Sequence, residues 1–291
     1  MVNFKKNISL LPYNTFGINV KTSSFIQVRK TDHLLNALKK KSFEKILVIG
    51  QGSNILFTKD YPGLIILMDN HGKEIIKENQ KEVIVKVQSG ENWHQFVLWC
   101  LKNNYGGVEN LALIPGKVGG APIQNIGAYG VEIKDVFLSC NTLELSSLTF
   151  KEFNLDECSF GYRDSVFKSK LKGKYIITSV TLKLQKYPHK VNVSYGNLEK
   201  ILKGKKKTIQ NIAESVIKIR SSKLPDPKII GNCGSFFKNP IISKSQLKNL
   251  IKTFKEVPFY SHSFDTKTYA IENKLSIQMA ARNLRYQWFD N

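Results

Sequence analysis

The sequence predicts an α+β fold, and two observations carry that reading. Apolar residues recur at helical spacing in a few segments, as at Trp93, Phe96, Val97, Cys100 and Leu101. Elsewhere, short apolar runs bounded by turn residues read as strands. The 291 residues, 42% of them hydrophobic, suffice for two domains at roughly 150 residues each. In chain order, Ser24 to Val28 (SFIQV) reads as a strand. Thr31 caps a helix through Lys40 with Leu34, Leu35 and Leu38 on one face, its hydroxyl accepting from the first turn. Lys45 to Ile49 (KILVI) is a buried strand ending on Gly50, with further strands at Gly63 to Met68 and Glu82 to Val87. Asn92 caps the helix that begins at Trp93. Tyr175 to Leu184 (YIITSVTLKL) alternates as a long strand, and Pro188 closes it. A second unit starts between Pro188 and Thr208, across Lys200 to Lys207, whose Lys/Gly content reads as a surface loop. Thr208 caps a helix that buries Ile209, Ile212, Val216 and Ile219, and a last helix runs from Ser243 to Phe254. The division expected is residues 1–188 and 189–291.

The 44 Lys+Arg exceed the 23 Asp+Glu by 21, a balance that ordinarily points to nucleic acid or an anionic membrane. Only five of the 44 are Arg: Arg29, Arg163, Arg220, Arg282 and Arg285. The densest runs, Lys39-Lys40-Lys41 and Lys203-Gly-Lys-Lys-Lys207, are short and lack interleaved aromatics, so no nucleic-acid partner is expected. Lysine, with abundant Asn and Ile, reads as drift toward an AT-rich coding sequence. Cys100, Cys140, Cys158 and Cys233 show neither CxxC spacing nor a neighbouring His, which predicts reduced thiols and no metal site. The N-terminus has too few apolar residues before Pro12 for a signal peptide, and no run approaches the ~18 that span a bilayer. A cytoplasmic monomer without membrane contact is the expectation.

Four segments carry chemistry. Gly50-Gln51-Gly52-Ser53-Asn54 follows a strand, and its glycines let successive N–H groups form a phosphate nest; a plain β-turn is the alternative. It is not a dinucleotide fingerprint of the G-x-G-x-x-G kind, because Ile55 stands where a third glycine belongs. Ile114 to Gly130 (IPGKVGGAPIQNIGAYG) has five glycines in 17 residues and neither strand nor helix period, as expected of a loop that wraps a flat ligand. Arg163, in Ser159-Phe-Gly-Tyr-Arg-Asp-Ser165, is one of three arginines before residue 280. An arginine kept where lysine is the rule suggests fork recognition of a carboxylate, or else an ion pair with Asp164 or Asp156. Ser235, in Gly231-Asn-Cys-Gly-Ser-Phe-Phe-Lys-Asn-Pro240, could be a nucleophile, a proton donor or a turn cap. No Ser-His-Asp arrangement accompanies it.

In order, N-T-F-G (Asn14 to Gly17), G-x-G-S-N, E-N-L-A-L-I-P-G (Glu109 to Gly116), P-I-Q-N-I-G-A-Y-G, G-Y-R-D-S, K-L-P-D-P-K (Lys223 to Lys228) and G-S-F-F-K-N-P resemble the UDP-N-acetylenolpyruvoylglucosamine reductase family. The resemblance runs from about Leu11 to about Pro258. It implies a vanillyl-alcohol-oxidase (PCMH) type FAD-binding domain of two α+β subdomains, followed by a smaller α+β substrate domain. The implied cofactors are FAD and the reductant NADPH, and the implied substrate is the enolpyruvyl ether of UDP-N-acetylglucosamine.

By the same resemblance, Arg163 would polarise the enolpyruvyl carboxylate and Ser235 would protonate C2, helped by Lys223 or Asn239. Tyr195, Lys223, Lys238 and Asn239 would meet the UDP-sugar. The flavin would lie against Gly50, Gln51, Gly52, Ser53 and Asn54, and against Ile114, Pro115, Gly116, Gly119, Ile123, Gln124, Asn125, Ile126 and Gly127. The family's glutamate segment, W-x-E-P-E-V, is absent from this sequence, and Ser276 to Asn291 looks compositionally foreign. The resemblance therefore implies an incomplete substrate domain and impaired turnover.

Overall fold

Two of the three parallel strands of the first sheet, Ile46–Ile49 and Tyr61–Met68, are the most apolar strands among the described residues. A computed structural model describes residues 4–40, 42–194, 198–235, 238, 242–256 and 266–273. The four-stranded sheet has the order β1-β2-β4-β3. Strand β1 (Lys5–Ser9) runs antiparallel to β2 (Lys21–Val28). Strands β2, β3 (Ile46–Ile49) and β4 (Tyr61–Met68) are parallel. Helix α1 (Thr31–Lys40) connects β2 to β3 and lays Leu34, Ala37 and Leu38 against Ile26, Val28, Leu64, Ile66 and Met68. The other sheet face, Phe25, Ile65 and Leu67, packs with Leu10, Ile49 and Phe57. Burial on both faces is why Leu64 to Met68 reads as an unbroken apolar run.

The second sheet is antiparallel, in the order β10-β9-β11-β6-β5. It comprises β5 (Lys73–Glu78), β6 (Glu82–Gln88), β9 (Phe137–Glu144), β10 (Phe150–Asn154) and β11 (Tyr175–Gln185). After β6 the chain leaves the sheet for α2 (Trp93–Lys102), a long loop, and the two-residue pair β7 (Gly127–Ala128) and β8 (Val131–Glu132). Asn92 caps α2 by accepting from Gln95 N–H at 2.9 Å. The helix buries Trp93, Phe96, Val97 and Cys100; Phe96 and Val97 each contribute roughly 1.5–3 kcal/mol.

The core continues past Pro188. Leu198 of α3 (Leu198–Ile201) and Ile212, Ala213, Val216 and Ile219 of α4 (Ile209–Lys223) join the cluster formed by β6, β9 and β11. Thr208 caps α4, accepting from Asn211 N–H at 3.2 Å. Helices α5 (Lys244–Glu256) and α6 (Thr266–Glu272) follow.

Strands β1, β5, β9 and β10 go beyond the sequence expectation, for physical reasons. All six residues of β5 are exposed, and its lysines suit a sheet edge. Strand β9 (FLSCNTLE) carries polar residues in its buried stretch, satisfied locally: Thr142 Oγ1 donates to Lys151 O at 2.8 Å. Strands β2 and β4 start earlier than their apolar cores suggest, and Lys200 and Ile201 belong to α3 rather than to a loop. Among the described residues the four cysteines are free and buried, no acidic, His or Cys cluster could hold a metal, and no helix is long and apolar enough to cross a membrane.

Candidate active site

Two loops face each other where the sheets meet. In the first, after β3, the backbone N–H groups of Gln51, Gly52, Ser53 and Asn54 donate to no protein acceptor among the described residues, which leaves a cluster of donors free for an anion. Gly52 has φ +62°, and a Cβ there would overlap the Tyr13 carbonyl oxygen and lie 2.8 Å from Asn14 Cα. The Asn14–Gly17 turn therefore fixes the loop from behind, with Thr15 N–H donating to Gly52 O at 3.3 Å.

The second loop, 114–130, is bonded directly to the first. Gln51 Oε1 accepts from Gly116 N–H at 3.0 Å, and Asn54 Nδ2 donates to Gln124 Oε1 at 3.0 Å. Gly119 N–H donates to Ser89 O at 2.9 Å, anchoring the loop on the end of β6. Lys117 lies over Gly50 and reaches the end of β4, donating to Met68 O and Asp69 Oδ1 at 2.8 Å each. Partial burial pushes the Asp69 carboxyl up, but bonds from Lys117, Gln27 and His71 outweigh it and hold it below the usual range.

The loop is entered through Leu113, a non-glycine residue at φ +58°. Its N–H donates to His94 Nδ1 at 3.1 Å, and its carbonyl accepts from Arg220 Nε at 3.3 Å. Burial, reinforced by the Arg220 charge, pushes the His94 imidazole below its usual value. Asn125, Tyr129 and Arg163 also have positive φ. Left-handed backbone costs such residues about 1–3 kcal/mol each, and its concentration here fits a site held in shape by its surroundings.

Several expected roles change. Asn125 is fully buried, with Nδ2 donating to Glu132 Oε2 and Gly161 O and Oδ1 accepting from Lys134 N–H, so its amide is not presented to a ligand. Ile126 belongs to the core, while Ile114 and Ile123 pack partly buried against it and Pro115 stays exposed. Gly127 makes room for Arg163: a Cβ would lie 2.5 Å from its Nη1.

Arg163 pairs with Glu132, not with Asp164 or Asp156, through Nη1 to Oε1 at 3.3 Å. Nη1 also donates to Asn125 O at 3.4 Å, and Nη2 to Gly127 O. Three of its five N–H donors are thus engaged. Nε–H and the second Nη2 hydrogen have no protein acceptor among the described residues.

The serine segment docks on the same region. Thr15 Oγ1 donates to Asn232 O at 2.7 Å and Asn232 N–H to Thr15 O at 3.0 Å. Ser235 is exposed, and its hydroxyl has no hydrogen bond among the described residues. Lys238 Nζ lies 3.9 Å from Asp164 Oδ2 and 5.9 Å from the centroid of the Tyr162 ring, beside Arg163. Lys223 ends α4 exposed, with no hydrogen bond to Ser235 among the described residues. Tyr195, Asn239 and the tail from Ser276 lie outside the described residues.

Sequence reasoning passes over Glu132, Lys117, His94 and Arg220 as site residues. The scarcity of arginine that singles out Arg163 applies equally to Arg220. Glu132 is signalled only as an acidic residue directly after the glycine-rich string.

The free N–H cluster suits the diphosphate of a flavin dinucleotide. The class follows: residues 22–145 match the FAD binding domain family, which makes the chain an FAD-binding flavoprotein of α+β architecture. The UDP-N-acetylenolpyruvoylglucosamine reductase of Flavobacterium johnsoniae is 50% identical over 265 residues, covering 90% of this chain and 79% of that protein. Its counterpart in Neisseria gonorrhoeae is 42% identical over 258 residues, 86% and 74% of the two chains. The solved UDP-N-acetylenolpyruvylglucosamine reductase from Thermus caldophilus superposes with TM-score 0.61 at 23% identity, over 87% of this chain and 81% of that one, a likeness of fold. The chain belongs to the UDP-N-acetylenolpyruvoylglucosamine reductase family.

Proposed function

We propose that the chain, a cytoplasmic monomer, uses NADPH to reduce the enolpyruvyl ether of UDP-N-acetylglucosamine to UDP-N-acetylmuramate, a precursor of the peptidoglycan wall. FAD supplies the two-electron carrier between nicotinamide and enolpyruvyl double bond. The loop 50–54 would hold its diphosphate through the free N–H groups, with 114–127 along the ring system. The observation that carries the reading is the pair of unengaged Arg163 donors beside the docked serine segment.

Arg163 would take the substrate carboxylate on Nε–H and Nη2–H. As negative charge develops at C2, it delocalises into that carboxylate, where a fixed cationic fork is worth about 3–4 kcal/mol in the transition state. Ser235 Oγ–H would deliver the proton to C2, and a positioned acid contributes roughly 10²–10⁴ in rate. Tyr195, Lys223, Lys238 and Asn239, all in 189–291, would face the diphosphate and sugar.

In an anaerobic stopped-flow experiment, Ser235→Ala is expected to keep flavin bleaching by NADPH and to slow recovery of colour with the enolpyruvyl substrate by roughly 10²–10⁴. Recovery at the unaltered rate would overturn the proton-donor role.

A further inference from the structure

We infer that Glu132 is a positioning residue for Arg163, fixing which edge of the guanidinium is turned to the substrate carboxylate; the inference rests on the Arg163 role proposed above. The two residues belong to a closed ring of polar contacts. Glu132 Oε1 accepts from Arg163 Nη1 at 3.3 Å, and Glu132 Oε2 accepts from Asn125 Nδ2 at 2.9 Å. Asn125 Nδ2 also donates to Gly161 O at 2.9 Å, and Gly161 bridges to Asp164 across the turn that holds Arg163. The ring closes because Arg163 sits at φ +52°, which directs its side chain back to the β7–β8 pair.

Glu132 is itself held firmly. Its side chain accepts from the backbone of Asp135 in a reciprocal cap, Asp135 accepts from Glu132 N–H at 2.8 Å, and Lys134 Nζ lies 3.0 Å from Oε2. Both residues are largely buried, with side chains 31% (Arg163) and 22% (Glu132) exposed. Lys134 offsets the second carboxylate oxygen, so the pair does not leave excess negative charge facing an incoming carboxylate.

The geometry divides the guanidinium in two. The Nη1 side is committed to Glu132 and Asn125 O, and Nη2 makes one bond to Gly127 O. What remains is Nε–H and one Nη2–H, and Nε–H together with an Nη2–H forms the guanidinium edge on which a carboxylate binds bidentately. Glu132 and the substrate thus occupy different edges and do not compete. Without Glu132, the guanidinium keeps only carbonyl partners, the long Nη1 bond to Asn125 O and the Nη2 bond to Gly127 O, and loses the one charged group that fixes its plane.

The test uses the FAD-loaded chain and two sugar nucleotides that differ in one carboxylate-bearing group, UDP-N-acetylmuramate and UDP-N-acetylglucosamine. Titration calorimetry of Glu132→Ala is expected to show about tenfold weaker binding of the muramate compound, with UDP-N-acetylglucosamine within about twofold of the unaltered chain. Flavin reduction by NADPH is expected unchanged, while reoxidation by the enolpyruvyl substrate slows about 10- to 100-fold, as for a modest misplacement of a reacting group. Glu132→Gln keeps an acceptor for Nη1 but turns an amide N–H2 toward Asn125 Nδ2 and Lys134 Nζ, so it is expected to recover part of both losses; it also carries the test where Glu132→Ala does not fold. Equal weakening of both nucleotides, or no weakening of either, overturns the positioning role. Arg163→Ala separates the two claims. If it leaves the muramate preference intact, the Arg163 reading fails; if it abolishes that preference while the Glu132 variants do not, only the Glu132 inference fails.

Discussion

Replacing Gly52 by alanine tests how far the proposed anion-binding loop depends on the turn behind it. At φ +62° an added Cβ costs about 1–2 kcal/mol from backbone conformation alone. That Cβ overlaps the Tyr13 carbonyl oxygen and stands 2.8 Å from Asn14 Cα, both backbone atoms, so no side-chain rotation relieves the clash. Loop and turn have to part, and the bond from Thr15 N–H to Gly52 O is lost, about 0.5–1.5 kcal/mol more. Together these give about 1.5–3.5 kcal/mol. Falling on the FAD-bound form, at 1.4 kcal/mol per decade, this weakens FAD by about 10- to 300-fold. Gly173→Ala is the control, because Gly173 has φ +73° with nothing within 4 Å and so incurs the conformational cost without the clash. The assays are fluorescence titration of FAD into the apo-chain and the urea midpoint. A Gly52→Ala chain that binds FAD as tightly as the unaltered one, with the midpoint of the Gly173→Ala chain, would refute the reasoning.

Three further outcomes are expected. Lys117→Met removes the donor to Met68 O and Asp69, and should lower stability at pH 7 by about 1–3 kcal/mol in urea. Because the folded Asp69 pKa is depressed, that contribution is present above the unfolded value near 4 and lost as pH falls through the folded value. The gap between the two chains should therefore close in acid, and a constant gap would count against the link. His94 must be unprotonated at Nδ1 to accept from Leu113, and its folded pKa is depressed, so FAD retention should fall as pH drops below about 6.5; His94→Gln should flatten that dependence. Thr208→Ala should cost about 1 kcal/mol by removing the cap of α4, read from the thermal midpoint in the presence of FAD.

How much of the fold and site is legible in the sequence depends on how local each cause is. Asn92 and Thr208 act on N–H groups three residues away, so their caps can be read directly. The doubly buried strands can be read from composition, since five consecutive apolar residues, Leu64 to Met68, leave neither face of a strand for water. Edge strands such as β5 cannot, because solvent on both faces removes the pattern. In the site, glycine content locates both loops, and the rarity of arginine locates Arg163. The partner of Arg163 is not legible, because Glu132 is 31 residues away in sequence and meets it only through the β7–β8 pair. Nor is the burial of Asn125, whose amide looks like any other ligand-facing amide until Glu132 and Gly161 are placed beside it.

The docking of Asn232 on Thr15 also orders events during synthesis. The two residues are 217 positions apart, and the turn at Asn14–Gly17 is pressed from one side by Gly52 and from the other by Gly231. A ribosome adding about 5–20 residues per second takes roughly 10–40 s to pass from one partner to the other. Throughout that interval the nascent chain can complete the parallel sheet and the loop after β3, but the turn behind them has no outer wall. The backing of that loop is therefore completed only when the chain around Asn232 has been made, although the loop itself is synthesised early.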